Sequence, residues 1–108
     1  MTKVLFGKSK TRAEFTIKGH ADAKKVNGYD LCCCAASMMC GLTEDYLTKR
    51  RLKNLKIKKD DGYFCASFDR VGISAVKAIE VLEAVFGGYK LLEELYPSNI
   101  CTLRSEYV

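Results

Sequence analysis

The chain has 108 residues, 48% hydrophobic and 29% charged, with a formal net charge of +5. Those values fit one globular domain over residues 1–108 with a modest core, and they exclude a disordered chain. No apolar run is long enough to cross a membrane, and the opening Met1-Thr2-Lys3-Val4-Leu5-Phe6-Gly7 is too short for a signal peptide. Six cysteines are present, but Cys32, Cys33 and Cys34 are consecutive, and neighbours of this kind rarely pair with each other. Reduced thiols and a cytoplasmic location are therefore expected.

Residues Lys3 to Lys8 read as a first strand. Arg12 to Lys18 alternate, with Ala13, Phe15 and Ile17 on one face, and the short Ser9-Lys10-Thr11 link predicts a hairpin. Gly19 to Tyr29 carry no period and read as a loop. Asp30 precedes an apolar run and predicts a capped helix from Leu31 to about Arg50, with Lys49 and Arg50 complementing its C-terminal dipole. Gly41 in its middle costs about 1 kcal/mol relative to alanine. Leu52 to Lys58 and Tyr63 to Phe68 read as strands joined by Lys59-Asp60-Asp61-Gly62, an Asp-Gly hairpin cue. A second helix runs from about Ile73 to about Tyr96 on an apolar stripe that includes Ala75, Ala78, Leu82 and Phe86, and Pro97 ends it. Its Gly87-Gly88 pair marks a kink or a close helix contact. Ile100 to Arg104 supply a last strand. The order β-β-α-β-β-α-β is an α+β fold, a mostly antiparallel sheet with both helices on one face. The strand order does not follow from the pattern.

The single histidine, His20, ends the second strand, and the cysteine cluster lies in the first turn of the first helix. A helix N-terminus favours negative charge, and the thiolate is the nucleophilic form of cysteine. An imidazole can take the thiol proton, and free N–H groups of the turn can hold an oxyanion. The bland readings are a surface histidine and small core cysteines. Successive cysteines point about 100° apart on a helix, so they cannot all serve one metal. No Cys-x-x-Cys pair is present, and no metal site or cofactor is expected.

Gly19-His20-Ala21, a polar loop, and then Gly28-Tyr29-Asp30-Leu31-Cys32-Cys33-Cys34-Ala35-Ala36-Ser37 resemble the signature of the ribosomal-processing cysteine protease family, Prp. That signature is Gly-His-Ala, a flexible loop, and Gly-x-Asp-apolar-x-Cys-Ala-x-x-Ser. The resemblance covers essentially the whole chain. It implies a cytoplasmic endopeptidase of α+β fold, usually a homodimer, with a mobile loop between His and Cys. Its implied partner is a ribosomal protein precursor, the large-subunit protein numbered twenty-seven, from which it removes an N-terminal extension. Carried over, His20 and Cys33 match the catalytic pair, and Gly19, Asp30 and Ser37 match supporting motif positions. Two departures stand out. The neighbours of the nucleophile are Cys32 and Cys34, and the loop is one residue longer. Counting from His20 selects Cys32; counting from Asp30 or back from Ser37 selects Cys33. The second count is preferred, because a loop absorbs an insertion and a helix turn does not.

On this reading Asp30 is a cap more than a third catalytic group, and Ser37 bonds the thiol or the helix backbone. Asp22 is a further group able to orient His20, and Gly19 and Gly28 serve as loop hinges. Seven basic residues lie between Lys49 and Lys59, namely Lys49, Arg50, Arg51, Lys53, Lys56, Lys58 and Lys59. They leave open a second reading, a non-enzymatic ribosome- or RNA-associated module, and otherwise form a solvated surface. A third reading is a redox-sensing thiol protein in which His20 is dispensable.

Overall fold

The computed structural model describes residues 1–106. The elements are β1 (Thr2–Lys8), β2 (Arg12–Lys18), α1 (Leu31–Thr48), β3 (Lys56–Asp60), β4 (Tyr63–Asp69), α2 (Gly72–Leu95) and β5 (Ile100–Glu106). The five strands form one sheet in the order β3-β4-β2-β1-β5. Three of its pairings are antiparallel, and β5 returns from α2 to lie parallel to β1. The expected α+β class and element order are thus present, and the strand order is now fixed.

Strand alternation puts Val4, Phe6, Ala13, Phe15, Ile17, Phe64, Ala66 and Phe68 on one face, all buried. They meet Ala75, Ala78, Leu82, Phe86 and Tyr89 of α2, which recur every three or four residues. The Phe6 ring centroid lies 5.4 Å from Phe15 and 6.0 Å from Phe86. Each fully buried phenylalanine contributes about 1.5–3 kcal/mol by transfer. α1 buries less, only Cys32, Ala36, Thr43 and Leu47. Small side chains there let α2 come close. The buried Tyr89 hydroxyl donates to the Ala36 carbonyl at 2.7 Å. The Gly88 backbone lies against Met39, so an added Cβ would sit 2.7 Å from the Met39 sulfur. Of the Gly87-Gly88 pair, Gly88 therefore serves a close helix contact, whereas Gly87 faces open space.

Two predicted boundaries move. α1 ends at Thr48 with Lys49 as its C-cap, so Lys49 and Arg50 lie beyond the last turn. Lys49 instead pairs with Asp45 one turn back, at 3.0 Å. β3 begins at Lys56 rather than Leu52, because Leu52 and Leu55 pack against the core from a turn in which Asn54 takes φ 54°. The seven basic residues also do not form one patch. Lys59 reaches Glu44 on α1 at 3.0 Å, and the Arg50 guanidinium stacks 4.3 Å from the Tyr46 ring centroid. Lys56 and Lys58 face away from the helices, one residue out of phase with buried-side Ile57 and Lys59.

Candidate active site

β2 delivers His20, α1 delivers the cysteines, and the β3–β4 hairpin closes the space between them. Gly19 N–H donates to the Gly62 carbonyl at 2.8 Å, so the end of β2 is tied to the hairpin turn. Thr2 Oγ1 donates to the Gly19 carbonyl at 3.0 Å. Gly19 takes φ 89°, and a Cβ there would stand 2.2 Å from the Met1 carbonyl oxygen. Gly19 is thus required by backbone geometry next to the histidine, and a hinge role is not needed to explain it.

The hairpin turn is Asp61-Gly62, with Gly62 at φ 67°. The His20 ring lies over Gly62, so close that an added Cβ would be 2.8 Å from Nε2. His20 Nε2 is 3.6 Å from Asp61 Oδ1. Asp61 was expected only as a turn residue. It reaches the histidine because strand pairing brings positions 20 and 61 together, a contact with no signal in local sequence.

A cavity of about 330 Å³ opens between these elements, and its lining includes His20, Cys33, Ser37, Cys40, Asp61 and Gly62. Helix pitch sorts the three adjacent thiols. Cys32 is fully buried, Cys34 is exposed, and Cys33 is half-buried in the cavity wall. Burial pushes the Cys32 thiol up, and the charges of Asp30 and Cys33 add to this. Further along the same face, burial also raises the Cys40 thiol, with Glu44 reinforcing and Lys59 opposing. A raised thiol is a poorer nucleophile at neutral pH.

Asp30 uses both carboxylate oxygens in structure. Oδ1 accepts from Cys33 N–H at 2.8 Å as the N-cap, and Oδ2 accepts from Ala23 N–H at 3.0 Å. It therefore fastens the helix start to the His–Cys loop. Among the described residues Asp22 makes no side-chain bond to His20. It takes φ 50° and, like Ala21, offers its carbonyl to the Asn99 amide. Ser37 lines the cavity one turn after Cys33, and among the described residues its hydroxyl bonds neither the thiol nor the helix backbone. The loop itself divides. Ala21 and Ala23 are buried, whereas residues 24–29 are exposed, closed on themselves by a Val26–Tyr29 bridge. Among the described residues no three His, Cys, Asp or Glu side chains are grouped as a metal site.

With the thiol and imidazole on one cavity, the comparisons with known proteins carry the family. The family model of cysteine protease Prp matches residues 1–101. The chain belongs to the cysteine protease Prp family. It is a cysteine protease, and the non-enzymatic and redox-sensor readings give way to that. Solved structures share the fold. The essential ribosomal processing protease Prp from S. aureus, in complex with a covalently linked product peptide, superposes with TM-score 0.76 at 23% identity. That match covers 96% of this chain and 99% of that one. The same S. aureus protease with a substrate peptide gives 0.72 at 22% identity, with the same coverage. A Streptococcus mutans protein gives 0.68 at 22% identity, covering 99% of this chain and 96% of that one. No curated protein matches this chain.

Proposed function

We propose that this Prp-family protease removes an N-terminal extension from a large-subunit ribosomal protein precursor, the protein numbered twenty-seven, with Cys33 as nucleophile and His20 as general base and acid. The observation that carries the reading is that, of the three adjacent thiols, Cys33 alone shares the cavity with His20. The S. aureus relative's name, a ribosomal processing protease, supports the substrate class.

The chemistry follows. His20 takes the thiol proton, and the Cys33 sulfur attacks the scissile carbonyl carbon. The tetrahedral oxyanion collapses, the C–N bond breaks, and His20 protonates the leaving amine. Water, deprotonated by His20, then hydrolyses the thioester. Asp30 occupies the Cys33 N–H and Cys32 is fully buried, so the exposed first-turn donor left for the oxyanion is that of Leu31. Asp61 lies near the imidazole, 3.6 Å from Nε2, and the Ser37 hydroxyl is available to substrate. The loop tip, with exposed Val26 and Tyr29, closes over the bound peptide.

The whole chain works as one domain in the cytoplasm, as a homodimer. Leu31, Met38 and Leu42 are exposed and fall within about 20° of one line along α1. A second copy would cover that stripe. Met38→Glu with Leu42→Glu is expected to give a monomer by sedimentation; an unchanged mass places the interface elsewhere.

The test of the activity is cleavage of the extended precursor by wild type and by Cys33→Ala, Cys32→Ala, Cys34→Ala and His20→Ala. Loss of about 10³-fold or more is expected for Cys33 and His20 alone. Loss at Cys32 instead overturns the chosen nucleophile. An uncut precursor with wild-type enzyme overturns the substrate.

A further inference from the structure

The helices cover one face of the sheet and leave the other bare. On the bare face the register aligns Cys101, Lys3, Lys18, Tyr63 and Asp60 in one row across all five strands. Lys58 and Lys56 continue the positive charge one and two rows on. All four lysines are exposed, and among the described residues none has an ion pair or side-chain hydrogen bond. Glu14 and Asp60 share the face, and Arg12 is bonded to Asp69, so positive charge is in excess. Lys3 and Lys18 are direct partners in the antiparallel pair. Like charges placed opposite each other there destabilise the sheet. Among the described residues neither lysine has a carboxylate partner, which leaves both free to meet an anion from outside.

We propose that this bare sheet face docks RNA, with the lysines on phosphates and the Tyr63 ring stacking on a base. The charge is spread over three strand spacings from β1 to β3, about 14 Å, rather than gathered at one point. An extended polyanion matches that spread. Tyr63 is 38% exposed, a flat ring flanked in its row by Lys18 on one side and Asp60 on the other. A second copy centred on the Lys3–Lys18 row fits poorly, because a two-fold contact there would set lysines against lysines. Tyr63 also lines the cavity of Cys33 and His20, so RNA on the sheet would lie at the mouth of the cleft. The protease reading gives this surface its use, since a precursor held on RNA would present its extension there. Binding itself does not depend on cleavage.

The test is fluorescence anisotropy of the full chain with a labelled, mixed-sequence single-stranded RNA at 50 and 200 mM salt. Each phosphate neutralised on a single strand contributes about 0.7 to the salt slope. Four lysines therefore predict a slope of about 3, and binding about 50-fold weaker at the higher salt. Lys3→Glu with Lys18→Glu is expected to weaken binding at least tenfold at 50 mM while leaving cleavage of a short peptide unchanged. The charge-matched pair Lys77→Glu with Lys90→Glu, on exposed positions of α2, is expected to change it less than twofold. Three results overturn the proposal: no binding by wild type at 50 mM, equal loss in both variant pairs, or dissociation of a dimer by the Lys3 and Lys18 reversals in sedimentation. Cleavage can fail while RNA binds, so the two readings fail separately.

Discussion

One turn of α1 gives three identical side chains three different environments. Cys32 is buried with its thiol pushed up, whereas Cys33 and Cys34 are reachable from solvent. Iodoacetamide on the native protein, read by mass spectrometry, is expected to label Cys33 and Cys34 and to spare Cys32. Prompt labelling of Cys32 would mean the first turn of α1 opens. Gly62 matters for a different reason. Its φ of 67° favours glycine, and its bare Cα is the floor under the His20 ring. Gly62→Ala costs about 1 kcal/mol in backbone strain and displaces the imidazole. A fall in kcat of tenfold or more with the fold intact is expected. Unchanged kcat would show that the ring position over Gly62 is not the working one. The His20–Asp61 contact is weaker, because Asp61 is 94% exposed and water screens it.

The elements differ in how far their sequence announced them. β2 and the start of α1 lie where alternation and the Asp30 cap predict, because both signals are local. The start of β3 was misplaced because Leu52 and Leu55 look like strand residues. They are apolar for packing, and the left-handed Asn54 between them breaks the extended run. Asp30 also does more than a cap pattern tells. It binds a helix N–H and a loop N–H at once. Asp30→Ala is expected to cost about 1–2 kcal/mol as a lost cap and to free the loop. Asp30→Asn keeps one acceptor and should recover part of both. Equilibrium urea unfolding and cleavage rates report the two effects. Equal stability of Asp30→Ala and wild type would remove the cap argument. Motif order pointed to His20 and Cys33, which share one cavity. It did not point to Asp61, because only sheet register joins that residue to His20.

At the scale of the molecule, one ion cluster joins α2 to both β1 and β5. The Glu83 carboxylate accepts from Arg104 at 2.7 and 2.8 Å and from Lys8 at 3.0 Å. The Arg104 bonds, with help from Lys8 and against partial burial, hold its pKa at about 2 instead of 4.5. A depressed carboxylate stabilises the fold fully above its unfolded value and loses that contribution as pH falls toward the folded one. Wild type should therefore exceed Glu83→Gln in stability at pH 6, and the gap should close between about pH 4.5 and 2. A gap independent of pH would assign the difference to packing. The strand order was not legible in the chain because a parallel closing strand leaves no local mark. β5 pairs with β1 across almost the full length of the sequence.

That closing strand braces the site from a distance in sequence. Thr2 N–H bonds the Asn99 carbonyl, Asn99 clasps the carbonyls of Ala21 and Asp22, and Ile100 is fully buried. Part of the anchorage beside the histidine thus depends on Asn99 and β5, far from it in sequence. Without that strand Asp30 still holds Ala23, but the carbonyls of Ala21 and Asp22 and the N–H of Thr2 lose their Asn99 partner. The cutting site is therefore fully braced only when β5 and the turn before it are in place. A chain stopped after Pro97 is expected to lack cleavage activity, and adding the missing strand as a separate peptide should restore part of it.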